Sequence, residues 1–226
     1  MVYILPLEMT YHDFVIKDNG INVADDTNEG IIKVGFSPEM SIKFQNMTIE
    51  GNNIGKGAVF EFVFTDEEFS AESACKEAPN IVISNTSIQN NTSGETTSIF
   101  HFEDAPWLWV RFEKQTILNN NFGKVTNEIY SRRFRQIDFL NSTWSQTPMA
   151  DESRWNSSDT VNKAKFIYMN DTYFHLNITN STFDCNGVYD NKTIMTMNGY
   201  TKKADSSVFK IEKAKDEESI FCHQDA

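Results

Sequence analysis

Asparagine is the residue type whose spacing in this chain most clearly indicates a chemical modification. The sequence contains 23 Asn, 18 Ser and 19 Thr among 226 residues. In a shuffled chain of this composition, the sequon Asn-x-Ser/Thr is expected roughly 4 times. It occurs ten times. Because the sequon is the acceptor for N-glycosylation, the excess predicts an exported glycoprotein that is extracellular or lies at a cell surface.

The ten sequons correspond to nine predicted glycans. Asn90 and Asn91 overlap in one stretch, and we expect them to share a single glycan, which we place at Asn91. The predicted sites are Asn46, Asn85, Asn91, Asn141, Asn156, Asn170, Asn177, Asn180 and Asn191.

Three cysteines provide a second candidate chemistry: Cys75, Cys185 and Cys222. None forms a Cys-x-x-Cys pair, and no His lies at zinc-ligand spacing, so we expect no metal site. In an exported protein an odd number of cysteines predicts one disulfide and one thiol that pairs outside this segment, with the pairing left open. For Cys185 the alternative is a small, buried apolar side chain.

Carboxylates provide a third candidate chemistry, since glycoside hydrolysis needs two carboxyl groups that face each other across the scissile bond. Adjacent residues of a strand point to opposite faces, so the acidic doublets of this chain make poor catalytic pairs. Histidines are scattered, and no Gly-rich phosphate loop is present. We therefore expect neither catalytic residues nor a cofactor. The acidic doublets are Asp25/Asp26, Glu67/Glu68 and Glu103/Asp104.

The elements that carry these residues repeat along the chain. Five segments share the pattern apolar-x-apolar-x-polar-x-Ser/Thr-apolar, and a degenerate copy is assigned to Phe14-x-Ile16-x-Asp18. With the degenerate copy included, the starting positions are 28, 39, 29, 27 and 39 residues apart. The two long intervals hold polar inserts at about 65–79 and 147–163. The five clear copies begin at Ile42, Ile81, Val110, Ile137 and Leu176.

Alternating apolar and polar residues in short runs indicate strands. Two or three strands in every 28 residues are typical of one turn of a parallel β-solenoid, whose turns bury a common core only by stacking. The alternative is an antiparallel β-sandwich. The sequence thus predicts an all-β, right-handed parallel β-helix with turns of about 28 residues and two polar inserts. We expect residues 1–226 to form a single β-helix domain, as a segment of a longer chain.

Two inward columns follow from this repeat. The first comprises Phe44, Ile83, Phe112, Phe139 and Ile178. The second comprises Ile49, Ile88, Ile117, Trp144 and Phe183.

Four sequons coincide with the polar corner position of the repeat, where Asn tolerates left-handed backbone geometry. These corner asparagines can form stacked side-chain ladders or carry glycans, and we expect the off-corner Asn156, Asn170, Asn177 and Asn191 to carry glycans more often. The corner set is Asn46, Asn85, Asn141 and Asn180.

The segment from Asn46 to Phe60, NMTIEGNNIGKGAVF, resembles the Asn-x-Ser/Thr-Phe-x-x-Asn … Gly-Gly-Ala-Ile repeats of right-handed parallel β-helix proteins. These include pectin-lyase-like proteins and polymorphic outer-membrane-type surface proteins. The resemblance covers about two-thirds of the chain. It implies the β-helix fold, and it implies polysaccharide cleavage as an alternative function, because many proteins with this fold are polysaccharide lyases or glycoside hydrolases.

An alternating segment at 107–112, WLWVRF, carries aromatic and basic side chains. Val110 and Phe112 occupy inward positions, so Trp107, Trp109 and Arg111 are predicted to share the outer face. Such a platform can stack on a sugar ring or contact a neighbouring subunit. The alternative is that an insert covers it.

Charge narrows the range of partners. With 32 acidic and 20 basic residues the net charge is −12, which argues against nucleic acid and anionic membrane surfaces as partners. No run approaches the roughly 18–20 apolar residues of a membrane span. The sequence therefore predicts a non-catalytic extracellular glycoprotein. We expect a structural or adhesive role, in a homo- or hetero-oligomer or a filament with other protein subunits.

Overall fold

The structure is a computed structural model that describes residues 8–20, 31–38, 40–53, 57–64, 78–92, 97–102, 107–120, 126–131, 135–145, 165–170, 175–184 and 195–198. Every regular element within these ranges is a β-strand. In chain order they are β1 (Glu8–His12), β2 (Val15–Lys17), β3 (Ile32–Phe36), β4 (Ser41–Gln45), β5 (Thr48–Glu50), β6 (Phe60–Phe64), β7 (Ile81–Ser84), β8 (Ser87–Gln89), β9 (Thr97–Phe102), β10 (Trp109–Glu113), β11 (Thr116–Leu118), β12 (Thr126–Ser131), β13 (Gln136–Leu140), β14 (Thr143–Ser145), β15 (Lys165–Asn170), β16 (His175–Thr179), β17 (Thr182–Asp184) and β18 (Met195–Asn198).

The strands form three parallel sheets of six strands, and each sheet takes every third strand of the chain. The first sheet has the order β1-β4-β7-β10-β13-β16, the second β2-β5-β8-β11-β14-β17 and the third β3-β6-β9-β12-β15-β18. Consecutive strands therefore lie in different sheets. In a sandwich built from antiparallel hairpins, consecutive strands of a hairpin would lie in the same sheet. The described part of the chain is all-β with parallel sheets, which is compatible with the predicted parallel β-helix.

The first predicted inward column is confirmed. Phe44 pairs with Ile83, and Ile83 pairs with Phe112. The column continues through Phe139 to Ile178, and all five side chains are buried. The rings of Phe112 and Phe139 stack with their centroids 5.3 Å apart.

The second predicted column pairs as expected from Ile49 through Ile88, Ile117 and Trp144 to Phe183. The first four of these side chains are buried. Because strands pair every 4.7–4.9 Å or so in a sheet, identical positions of successive repeats come into contact and exclude water from the interior.

Phenylalanines of the third sheet fill the space between the two columns. Phe60 stacks on Phe100 at 5.2 Å, and Phe62 stacks on Phe102 at 4.7 Å. All four are fully buried, and burying a side chain of this size stabilises the fold by about 1.5–3 kcal/mol.

The degenerate first copy was predicted five residues too late. Met9 pairs with Ile42 and Tyr11 with Phe44, so this copy begins at Met9 rather than Phe14. Both corners of a repeat take left-handed backbone, and here both carry aspartate: Asp13 has φ 60° and Asp18 has φ 54°. The residues before Asp18 therefore match the repeat pattern because Asp18 is also a corner residue, although the first copy ends at the corner of Asp13.

Left-handed residues form two columns that mark these corners. The first corner, between the strands of the first and second sheets, holds Asp13, Asn46, Asn85, Lys114, Asn141 and Asn180. The second corner, which follows the strands of the second sheet, holds Asp18, Gly51, Asn90 and Asn119. At Gly51 (φ 68°) a Cβ atom would come within 2.5 Å of Asp18 Oδ1, so glycine suits this position for both conformation and space.

Apart from Ala78 and Pro79, the predicted inserts lie outside the described residues. Among the residues that the structure describes, no helix is long and apolar enough to cross a membrane.

Candidate functional site

An inner column of asparagines follows the second corner and consists of Asn19, Asn52, Asn91 and Asn120. The side-chain oxygen of Asn91 accepts hydrogen bonds from the backbone N–H and the Nδ2 of Asn52, at 3.0 and 2.9 Å. Asn91 Nδ2 in turn donates to Asn120 Oδ1 at 2.8 Å and to the Ile49 carbonyl at 3.1 Å. Asn52, Asn91 and Asn120 are buried, so these amides satisfy polar backbone groups that water does not reach.

An outer column of asparagines occupies the first corner and consists of Asn46, Asn85, Asn141 and Asn180. Asn85 Nδ2 donates to Asn46 Oδ1 at 2.6 Å, and Asn180 Nδ2 donates to Asn141 Oδ1 at 3.4 Å. All four are exposed. The hydrogen-bonded ladder that the sequence left as one of two alternatives is therefore present here, and the exposed amides also remain accessible to an attached sugar.

The side chains of the two overlapping sequons, Asn90 and Asn91, lie in opposite environments. Asn91 has 0% of its surface exposed, and its side-chain oxygen and amide hydrogens are all engaged in the inner column. Asn90 is exposed, with φ 55°. Of the two overlapping sequons, the fold therefore buries the side chain of Asn91 and leaves that of Asn90 exposed.

The remaining predicted glycan sites are described only in part. Asn177 is exposed between the buried side chains of Leu176 and Ile178, as strand alternation predicts. Asn170 is the last residue of β15. Asn156 and Asn191 lie outside the described residues, as do the three cysteines Cys75, Cys185 and Cys222.

Of the three residues predicted to share the outer face, Trp109 and Arg111 are partly exposed, whereas Trp107 is buried. Trp107 is only 2% exposed and lies 5.6 Å from the ring of Phe36. Strand β10 begins at Trp109, so the alternation does not extend back to Trp107. Its neighbour Leu108 is also buried.

Trp109 and Arg111 converge on Asp138, a residue that the sequence analysis did not single out. Asp138 Oδ2 accepts hydrogen bonds from Trp109 Nε1 at 2.8 Å and from Arg111 Nε at 3.1 Å. Arg111 Nη2 lies 3.1 Å from the same oxygen, and Gln136 Nε2 donates to Asp138 Oδ1 at 2.9 Å. Asp138 pairs with Arg111 in register, so an alignment of the repeats would have revealed this contact.

Two guanidinium groups approach the Trp109 ring. The Cζ atoms of Arg111 and Arg135 lie 5.6 and 5.7 Å from the ring centroid, within the range of cation–π attraction. Burial lowers the pKa of the Arg135 guanidinium.

These contacts define the chemistry that the cluster can perform. Asp138 is 1% exposed, and both of its oxygens accept hydrogen bonds. A carboxylate held in this way connects β10 to β13 as a charged cross-link. Within the described ranges, no group of three or more His, Cys, Asp or Glu residues could hold a metal ion.

Comparisons with known proteins return no match. No protein-family model, curated protein or solved structure matches this chain.

Proposed function

We propose that this chain is an exported, N-glycosylated protein with a structural or adhesive role in a cell-surface or filamentous assembly. In this proposal it folds as a right-handed parallel β-helix. Three parallel sheets that each take every third strand support the fold. The handedness follows from the general preference of parallel crossover connections, of which about 98% are right-handed.

The exposure of the sequon asparagines carries the proposal. The side chains of seven are described, and six are exposed: Asn46, Asn85, Asn90, Asn141, Asn177 and Asn180. Of the six asparagines outside sequons whose side chains are described, three are buried: Asn52, Asn80 and Asn120. Asparagines that glycosylation would modify therefore lie mainly at the surface, whereas those with internal hydrogen-bonding roles lie mainly outside sequons.

The structural role is supported by the use that the fold makes of its polar groups. The buried carboxylate of Asp138 is engaged by the half-buried Trp109 and Arg111 in a cross-link between repeats. Within the described residues, each sheet ends in strands that pair on one side only. Such edges can accept further strands, so partner subunits that extend or cover the sheets fit this architecture.

Glycan removal tests the export and glycosylation in this proposal. The chain is expressed through the secretory pathway of a eukaryotic cell, and the intact mass of the secreted protein is measured before and after enzymatic removal of N-glycans. We expect a loss of mass that corresponds to several glycans. An unchanged mass would contradict the proposed glycosylation and remove its support for export.

Light scattering combined with electron microscopy of the native material tests the assembly. We expect oligomers or filaments. A monodisperse monomer that cleaves a polysaccharide would favour the alternative of a carbohydrate-active enzyme of the pectin-lyase-like type.

A further inference from the structure

We infer that Asn90 is the glycosylated residue of the overlapping sequon pair and that its neighbour Asn91 is a structural residue that stays unmodified. This inference rests on the proposed glycosylation and names the site within it. The two residues have the same side chain and are adjacent in sequence, but the fold gives them opposite environments.

Asn91 uses its whole side chain in the inner column. Its Oδ1 accepts two hydrogen bonds from Asn52, and its Nδ2 donates one to Asn120 and one to the Ile49 carbonyl. Its backbone N–H donates to Asn120 Oδ1 at 3.1 Å. With no exposed surface, Asn91 has neither a spare amide hydrogen nor a path for a sugar to leave the interior.

Asn90 has the geometry of an acceptor site. It lies at the second corner with φ 55°, its side chain is exposed, and its backbone N–H donates to the Leu118 carbonyl at 3.2 Å. Lys17 and, to a smaller extent, a hydrogen bond from Asn90 lower the pKa of the partly exposed Glu50 carboxyl group. A substituted amide keeps one N–H, so a glycan at Asn90 leaves the backbone contact intact and retains a donor for Glu50.

The chemistry of the modification distinguishes the two sites. A bond forms between Nδ2 and the anomeric carbon of a diphosphate-activated oligosaccharide; the diphosphate leaves with the bonding electrons, and Nδ2 loses one proton. At Asn91 the lost N–H is one of two that are used in the interior. A chain modified there cannot complete the inner column, whereas a chain modified at Asn90 can.

The sequence provides matched variants, because each sequon depends on a different hydroxyl residue. Thr92 completes the sequon of Asn90, and Ser93 completes that of Asn91. Ser93→Ala therefore abolishes only the sequon of Asn91, and Thr92→Val abolishes only that of Asn90. Thr92 is exposed, and its backbone hydrogen bond to the Asn52 carbonyl at 2.8 Å does not need the hydroxyl.

The experiment is site-resolved mass spectrometry of protein secreted from eukaryotic cells, with glycosidase treatment in heavy-oxygen water to label each formerly glycosylated asparagine. We expect the label at Asn90 and not at Asn91 in the wild type and in Ser93→Ala, with equal secretion of both. In Thr92→Val we expect secreted protein to lack label at both positions, and any chains modified at Asn91 to remain inside the cell.

Secreted, protease-resistant protein that is glycosylated at Asn91 would overturn the inference. Label at other sequons but not at Asn90 would overturn it as well, while leaving the proposed function standing. Absence of label at every sequon would instead contradict the proposed glycosylation, together with this inference.

Discussion

Asn91 Nδ2 donates a hydrogen bond to Asn120 Oδ1 at 2.8 Å, across a spacing of one repeat. The same relationship joins Asn52 to Asn91 at 2.9 Å. These amides supply polar partners to the backbone where the chain turns away from the second sheet, a region that is buried. The inner column is therefore part of the core, although it consists of one of the more polar residue types.

Removal of the Asn91 side chain should destabilise the protein strongly. Asn91→Ala takes away the partners of the Asn52 N–H and the Ile49 carbonyl, and each buried group left without a partner costs about 1–3 kcal/mol. We expect the free energy of unfolding to fall by about 3 kcal/mol in urea titrations of unglycosylated protein. The control is Asn90→Gly, which keeps the left-handed corner and should change stability by about 0.5 kcal/mol or less. Equal losses in the two variants would contradict a structural role specific to the inner column.

The cross-link around Asp138 should respond to its charge. Asp138→Asn keeps the shape of the side chain but leaves the Arg111 guanidinium without its anion, and breaking a buried ion pair on one side costs about 3–5 kcal/mol. Because Arg111 is partly exposed, we expect the lower end of this range in urea unfolding, together with a shift in tryptophan emission.

The matched variant for this cluster is Trp109→Phe, which removes the indole N–H donor and keeps an aromatic ring. We expect a loss of about 1 kcal/mol, the net value of one hydrogen bond. If Asp138→Asn were no more destabilising than Trp109→Phe, the carboxylate would not act as a charged cross-link.

Stability should decrease when acid protonates the carboxylates of the first two repeats. Lys17 lowers the pKa of Glu50, and its Nζ lies 2.7 Å from Glu50 Oε2. Hydrogen bonds from His12 and, to a smaller extent, from Asn46 lower the pKa of Asp13. A carboxylate whose pKa is lower in the folded state contributes stability above its unfolded pKa and loses it as the pH falls through the folded pKa. We therefore expect the urea concentration at the unfolding midpoint to decrease as the pH is lowered below about 4.

Lys17→Met isolates one of these contributions. Glu50 raises the pKa of Lys17. The stability that the charged lysine contributes is therefore present below the unfolded pKa of lysine and is lost as the pH rises through the pKa of Lys17 in the folded state. Compared with the wild type, the variant should show a shallower decrease on the acidic side and on the strongly alkaline side. Parallel pH profiles for the two proteins would show that this ion pair contributes nothing measurable.

Lys114 occupies the first-corner position between Asn85 and Asn141. Its replacement by asparagine should stabilise the protein. Lys114 has φ 52°, where a residue other than Gly, Asn or Asp is strained by about 1–2 kcal/mol. Lys114→Asn should stabilise the unglycosylated protein by about 0.5–1 kcal/mol and should also add one glycan on secretion, because it completes an Asn-Gln-Thr sequon with Gln115 and Thr116. Destabilisation by Lys114→Asn, with Lys114→Gly as the backbone control, would contradict the assigned corner geometry.

The sequence predicted the columns because the repeat and the strand alternation act together. Phe112 and Phe139 occupy the same position in successive copies, and parallel pairing brings equal positions into contact. The same logic located the first corner at Asn46, Asn85, Asn141 and Asn180, all of which have positive φ.

The sequence failed where a local pattern was extended beyond its strand or where two patterns overlapped. Trp107 was predicted to point outward by alternation, but it precedes the first residue of β10 and packs on Phe36. The overlapping sequons do not distinguish the exposed Asn90 from the buried Asn91, because a sequon carries no information on burial. Asp138 occupies an outward position by strand alternation, but it is buried and hydrogen-bonded to Trp109 and Arg111.

Stacking of the repeats in parallel register determines both the core and the separation of buried from exposed asparagines. It is tested most directly by nuclear Overhauser contacts between isoleucine methyl groups in selectively labelled protein. Ile88 pairs with Ile49 on one side and with Ile117 on the other, so we predict cross-peaks from the Ile88 methyl to both. An Ile88 methyl that contacts neither would contradict the account.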